Sequence, residues 1–165
     1  MNTSTFTIRS LVQTDELFLW EMLYQALFVL PGTEPFPRDI IRQPEISCYV
    51  DGWGRMGDSG FIVVVEETQL PIGAAWIRLM TGDGKGYGYV DDQTPELTIA
   101  VAPDFRGHGI GGELMNRLLA QTQTIYRAVC LSVSADNPAF RLYQRLGFET
   151  IKADGSSLTM IKQFN

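Results

Sequence analysis

The chain has 165 residues, 45% of them hydrophobic and 19% charged, which suffices for one domain with its own core and excludes a disordered chain. The 13 Lys and Arg against 19 Asp and Glu leave a formal charge of −6. That balance argues against nonspecific nucleic-acid binding, which depends on neutralising phosphates, and is compatible with a cationic substrate.

No basic stretch followed by an apolar block opens the chain, so no signal peptide is expected. Thr5 to Arg9 alternates like a short strand. Asp15 to Val29 is rich in Leu, Met and aromatic residues and predicts a long buried helix with Thr14 as its N-cap. The apolar run within it, Leu17 to Leu30, is broken by Glu21 and Gln25 and is shorter than the roughly 20 residues of a membrane span. Pro31, Gly32, Pro35 and Pro37 then interrupt the chain, and Arg38 to Gln43 and Ile46 to Met56 read as short helices. Phe61 to Glu66 is β-branched and predicts a strand, with Thr68 and Gln69 turning it into a partner at Ile72 to Leu79. Thr81 to Thr94, rich in Gly and Asp, predicts a long loop.

Glu96 to Val101 predicts a strand ended by Pro103 and Asp104. A glycine turn, Arg106-Gly107-His108-Gly109-Ile110-Gly111-Gly112, leads into a helix whose apolar positions are Ile110, Leu114, Met115, Leu118 and Leu119. Val129 to Val133 predicts a strand. Asp136-Asn137-Pro138 starts a helix with the stripe Ala139, Leu142, Tyr143 and Leu146, ended by Gly147. Phe148 to Ile151 and Leu158 to Ile161 predict the last two strands. The single histidine, His108, and the two cysteines, Cys48 and Cys130, lack ligand spacing, so no metal site is expected. Unpaired cysteines of this kind point to a reduced, cytoplasmic protein.

Strand, glycine turn and helix start together make an anion cradle: glycines admit positive φ and close approach, and the free N–H groups of the helix start point at negative charge. An ATPase-type phosphate loop fails, because Gly111 is followed by Gly112 and Glu113 instead of Lys and Ser or Thr. A dinucleotide fingerprint matches by count at Gly107, Gly109 and Gly112, but it lies two-thirds along the chain behind antiparallel hairpins. A third pattern fits better. Arg106-x-x-Gly109-x-Gly111, after a strand ending Val101-x-Pro103, resembles the coenzyme A signature of the GNAT superfamily of N-acetyltransferases. Asn137-Pro138-Ala139, Leu142-Tyr143 and Leu146-Gly147-Phe148 resemble its second conserved block.

The resemblance implies a single α/β domain, residues 1–165, with a central mixed and largely antiparallel twisted sheet, flanked by helices and splayed where acetyl-CoA enters. It implies transfer of acetyl from acetyl-CoA to a primary amine. Gly107, His108, Gly109, Ile110, Gly111 and Gly112 would hold the pyrophosphate, with Arg106 at the place where the family carries Arg or Gln. Ile99, Ala100 and Val101 would lie beside the pantetheine arm, with Asn137 near it. Tyr143 would be the general acid for the leaving thiolate and Glu96 the base, directly or through a water.

Plainer roles compete. His108 reads as an exposed loop side chain, Tyr143 as core packing and Glu96 as a solvated strand residue. Strict alternation sets Glu96 with Thr98 and Ala100, opposite Leu97, Ile99 and Val101. Relatives that acetylate protein N-termini usually carry Glu where this chain has Ser132, so a small-molecule amine is expected as acceptor. A protein or peptide amine and a non-catalytic CoA-binding module are the alternatives. The acceptor site is expected among the N-terminal helices and the Thr81 to Thr94 loop. There Asp83, Asp91 and Asp92 could attract a cationic amine, and Trp53, Tyr87 and Tyr89 could line its pocket. No nucleic-acid or membrane partner is expected, and assembly as a homodimer stays open.

Overall fold

The structure, a computed structural model, describes residues 4–165. Its strands are β1 (Phe6–Ser10), β2 (Ser59–Val65), β3 (Pro71–Arg78), β4 (Glu96–Val101), β5 (Ala128–Ser134), β6 (Glu149–Asp154) and β7 (Ser157–Gln163). Its helices are α1 (Glu16–Ala26), α2 (Pro44–Ser47), α3 (Ile110–Thr122) and α4 (Ala139–Arg145). The strands form one sheet in the order β1-β2-β3-β4-β5-β7-β6. Neighbours are antiparallel except β4 and β5, which run parallel.

The middle strands β2 and β3 are apolar nearly throughout because helices cover both faces of the sheet. On one face, Leu114, Met115 and Leu118 of α3 and Tyr143 of α4 pack with Val63, Ile72, Ala75, Leu97 and Leu131. On the other, Leu19, Met22 and Leu23 of α1 and Ile46 and Tyr49 of the α2 region pack with Ala74, Trp76 and Ala100. Leu114 and Leu19 are fully buried; truncating either to Ala would cost about 2–5 kcal/mol.

Most expected elements are present within a residue or two, and three differ. Thr14 is not the N-cap of α1: it lies in a 3-10 turn, Gln13–Asp15, and Asp15 precedes the helix. The Asp15 carboxylate accepts the Val12 N–H at 2.8 Å and pairs with Arg9 at 2.9 Å, which fixes the entry. α1 also stops at Ala26 and not at Val29, because Leu27 turns extended ahead of the proline-rich stretch. Ile46 to Met56 is not a helix beyond α2. Asp58 takes the N–H groups of Gly54 and Arg55 at 2.9 and 3.1 Å, and this local bonding draws the backbone into turns.

One feature of the sheet positions the site. β4 and β5 are in register only at Glu96 and Cys130. Past that point they diverge, leaving a V-shaped gap in the middle of the sheet.

Candidate active site

The gap opens into a cleft of about 1250 Å³. Ile99, Ala100 and Val101 line it from β4, and Leu131, Ser132 and Val133 from β5. Gly107, Gly109, Ile110 and Gly111 line it at the start of α3. Gly107 and Gly109 both sit at φ +81°, a left-handed conformation that favours glycine. A Cβ placed on Gly107, Gly109, Gly111 or Gly112 would meet nothing within 4 Å, so the backbone here is open to a ligand. The first N–H groups of α3 have no partner in the preceding turn of a helix, and their dipoles favour an anion.

Arg106 is not a free surface charge. Its Nε donates to the Val101 carbonyl at 2.9 Å, and Nη2 reaches the Gln25 carbonyl and Oε1 at 3.4 and 3.3 Å, tying the end of β4 to the end of α1. His108 is exposed, with Nδ1 3.1 Å from the Phe105 carbonyl. Neither His108 nor Gly112 lines the cleft.

Asn137, two residues ahead of α4, and Tyr143 within it both line the cleft. Asn137 Oδ1 accepts the Ala139 N–H at 2.9 Å and so caps the helix start. Tyr143 is 8% exposed and packs edge-on to Phe148 at 6.0 Å. Its hydroxyl makes no hydrogen bond among the described residues, and burial pushes the phenol up to about 12, so it stays protonated at neutral pH. Core packing and a cleft-facing role coincide in this one side chain.

Glu96 is only 2% exposed, which overturns the reading of a solvated strand residue. Alternation along β4 holds: Leu97, Ile99 and Val101 face the α3 side, and Ala100 faces α1. Glu96 Oε1 accepts the Tyr49 hydroxyl at 2.5 Å and the Gly88 N–H at 2.7 Å, whereas the buried Oε2 has no partner. Burial lifts the carboxyl from 4.5 to about 7, and the Tyr49 and Gly88 hydrogen bonds hold it from rising further. The Tyr49 hydroxyl also accepts the Tyr87 N–H at 2.7 Å, and burial beside Glu96 holds its pKa well above the ordinary value.

The Thr81 to Thr94 loop runs over this pair as a strap. A Cβ on Gly86 would collide with Glu96 Oε2 and the Tyr49 hydroxyl. One on Gly88 would stand 2.7 Å from Glu96 Oε1 and 2.7 Å from the Leu131 backbone. Behind Tyr49, the buried Arg78 pairs with Asp58 at 2.8 Å and donates to the Cys48 and Asp51 carbonyls at 3.1 and 2.6 Å, pinning the turns that carry Tyr49.

Several expected acceptor residues lie elsewhere. Trp53 is a core residue, 4% exposed. Tyr89 donates to Asp92, Asp91 accepts the Gln93 N–H, and Asp83 is exposed; none of these five side chains lines the cleft. Tyr87 does line it, together with Phe28, Phe36, Ile40, Ile46 and Tyr49. Sequence reasoning missed Tyr49, Gly86, Gly88 and Arg78. The alternating glycines at 84, 86 and 88 were the one available signal, since a glycine in a loop can mark close approach of another group.

A family model for the acetyltransferase (GNAT) domain matches residues 58–150. The chain belongs to the GNAT acetyltransferase family. No curated protein matches it in sequence. Solved structures share its fold. The paia N-acetyltransferase of Thermoplasma acidophilum, in complex with coenzyme A, is 17% identical with a TM-score of 0.67, over 97% of this chain and 99% of that one. yncA of Salmonella typhimurium, with its cofactor acetyl-CoA, is 18% identical with a TM-score of 0.68, over 97% and 94%. A spermidine N-acetyltransferase chimera of Vibrio cholerae SpeG and hSSAT is 21% identical with a TM-score of 0.61, over 97% and 96%.

As a GNAT protein the chain is an acyltransferase that uses acetyl-CoA. The residues present fit that donor. The glycine backbone offers an uncrowded cradle of N–H groups for a pyrophosphate, and the splay exposes the edge of β4 to an extended arm. No helix among the described residues is long and apolar enough to cross a membrane.

Proposed function

We propose that the chain transfers the acetyl group of acetyl-CoA to the primary amine of a small molecule, with Glu96 as base and Tyr143 as acid. One observation carries this reading: a single cleft is lined by the open glycine cradle, a buried carboxyl with a pKa of about 7 and a buried, protonated phenol. Acetyl-CoA supplies the activated acyl group as a thioester. The backbone N–H groups of Gly107, Gly109, Ile110 and Gly111, which line the cleft, bind its pyrophosphate. Ile99, Ala100 and Val101 offer backbone groups to the pantetheine arm, with Asn137 beside it. A backbone N–H of β4 stabilises the thioester oxygen as it gains charge. Arg106 acts by bracing β4 against α1.

An amine reaches the cleft mostly as its ammonium and must lose a proton before it attacks. Glu96, half-ionised near neutral pH, takes that proton, directly or through a water. Tyr143 then gives its proton to the departing sulfur. Holding the amine near the thioester carbon supplies much of the remaining acceleration.

The depth of Glu96, under the strap, supports a small amine over a bulky protein chain, as does Ser132 on β5, whose Oγ lies 3.2 Å from Ser157 Oγ. The free cysteines Cys48 and Cys130 support a cytoplasmic setting for a single domain of residues 1–165. Thiol release from acetyl-CoA across a panel of small amines and peptides tests the function. Release with small amines and not with peptides is expected. Release with peptides alone would transfer the reading to a protein acceptor, and binding without release would make the chain a CoA-binding module.

A further inference from the structure

We infer that the acceptor is a monoamine, one ammonium on an apolar body, and not a polyamine; this rests on the reading of Glu96 as the base. Among the described residues that line the cleft, Glu96 is the sole carboxylate. Its Oε1 holds two donors and its Oε2, buried against Gly86, holds none, so one carboxylate is all the anionic charge that the lining offers. The wall on the α1–α2 side is mainly apolar: Phe28, Phe36, Ile40 and Ile46, with Tyr87 beside them and Gln25, Arg38 and Gln43 as its polar members. The remaining charged side chains that line the cleft are cationic, Arg38 and Arg106.

Nearby acids do not change this balance. Glu21 is paired with Arg38 at 2.5 Å, and Arg38 lies over the Tyr24 ring at 4.1 Å. Glu45 is exposed and lies outside the lining, as do Asp83, Asp91 and Asp92. A second ammonium would therefore lie against hydrocarbon with no carboxylate of the lining to receive it. An apolar body on the same wall gains from being removed from water.

The test compares kcat/KM for 2-phenylethylamine and spermidine at saturating acetyl-CoA. A preference of at least about tenfold for 2-phenylethylamine is expected. Equal or better use of spermidine would overturn the inference. Phe36→Glu places a second carboxylate at a wall position that is 42% exposed and so tolerates charge. It should raise kcat/KM for spermidine several-fold and lower it for 2-phenylethylamine; an unmoved ratio would overturn the placement of the acceptor on this wall. If no member of the amine and peptide panel releases thiol, the transferase reading fails by itself, and the acceptor class is read from binding with CoA present. A rise in melting temperature with 2-phenylethylamine alone would support the class, and a rise with spermidine, or with neither, would overturn it.

Discussion

The two sides of the cleft are built differently. The side made by β4, the glycine turn and α4 comes from one stretch, Glu96 to Arg145, and presents mainly backbone groups and one phenol. The side made by α1, the α2 turns and the strap is assembled from separate segments, and presents side chains: Phe28, Phe36, Tyr49 and Tyr87 around Glu96. A backbone cradle binds a group that never varies, and it needs glycines at fixed spacing. A side-chain wall can change with the acceptor, and its members need no shared pattern.

The largest break in this comparison is expected at the cradle. Gly109→Val puts a β-branched residue at φ +81° and fills the open space before α3. The rise in melting temperature that acetyl-CoA gives the parent chain should vanish, since a ligand that binds only the folded state stabilises it by mass action. An undiminished rise would remove the pyrophosphate from this turn. Next comes Tyr143→Phe, which keeps the packed ring and deletes the hydroxyl. Turnover should fall about 10- to 1000-fold with cofactor affinity retained; unchanged turnover would leave Tyr143 a packing residue.

Gly86→Ala separates the two sides. Its new methyl meets Glu96 Oε2 and the Tyr49 hydroxyl, so the strap must shift. Turnover should drop while the acetyl-CoA melting shift survives; loss of both together would show that the sides are not independent.

These contrasts explain what was legible in the sequence. The order of strands and helices was readable because apolar periodicity and glycine and proline breaks are local. The cradle was readable because consecutive residues make it. Tyr49 carried no such mark: it reaches Glu96, 47 positions away, only through the turns that Arg78 and Asp58 fix. The acidic loop misled for the same reason. Asp91 and Asp92 looked available to a cation, but their carboxylates bond within the loop, to the Gln93 N–H and the Tyr89 hydroxyl, and neither lines the cleft. Burial of Glu96 was also invisible, because alternation names a face of the sheet and not what covers it.

Two smaller effects sharpen the account of Glu96. The Tyr49 hydrogen bond favours the carboxylate and lowers its pKa, so Tyr49→Phe should move the pH–rate inflection to higher pH. A profile that keeps its inflection would deny Tyr49 any part in tuning Glu96. The folded-state pKa of Glu96 is raised from 4.5 to about 7, so the folded chain binds its proton more tightly than the unfolded one. That contribution is full below pH 4.5 and is lost as pH rises through about 7. The melting temperature of the parent should therefore fall between those limits more than that of Glu96→Gln; parallel curves would mean that the carboxyl is not desolvated.

The most direct test of the central claim, that Glu96 takes the amine proton, is the pH–rate profile of the parent chain beside that of Glu96→Gln. The parent should gain activity through an inflection near 7, the pKa of the buried carboxyl. Glu96→Gln should be slow at neutral pH, with the deficit closing at high pH as free amine becomes abundant. Coincident profiles with equal acceptor KM would contradict the account.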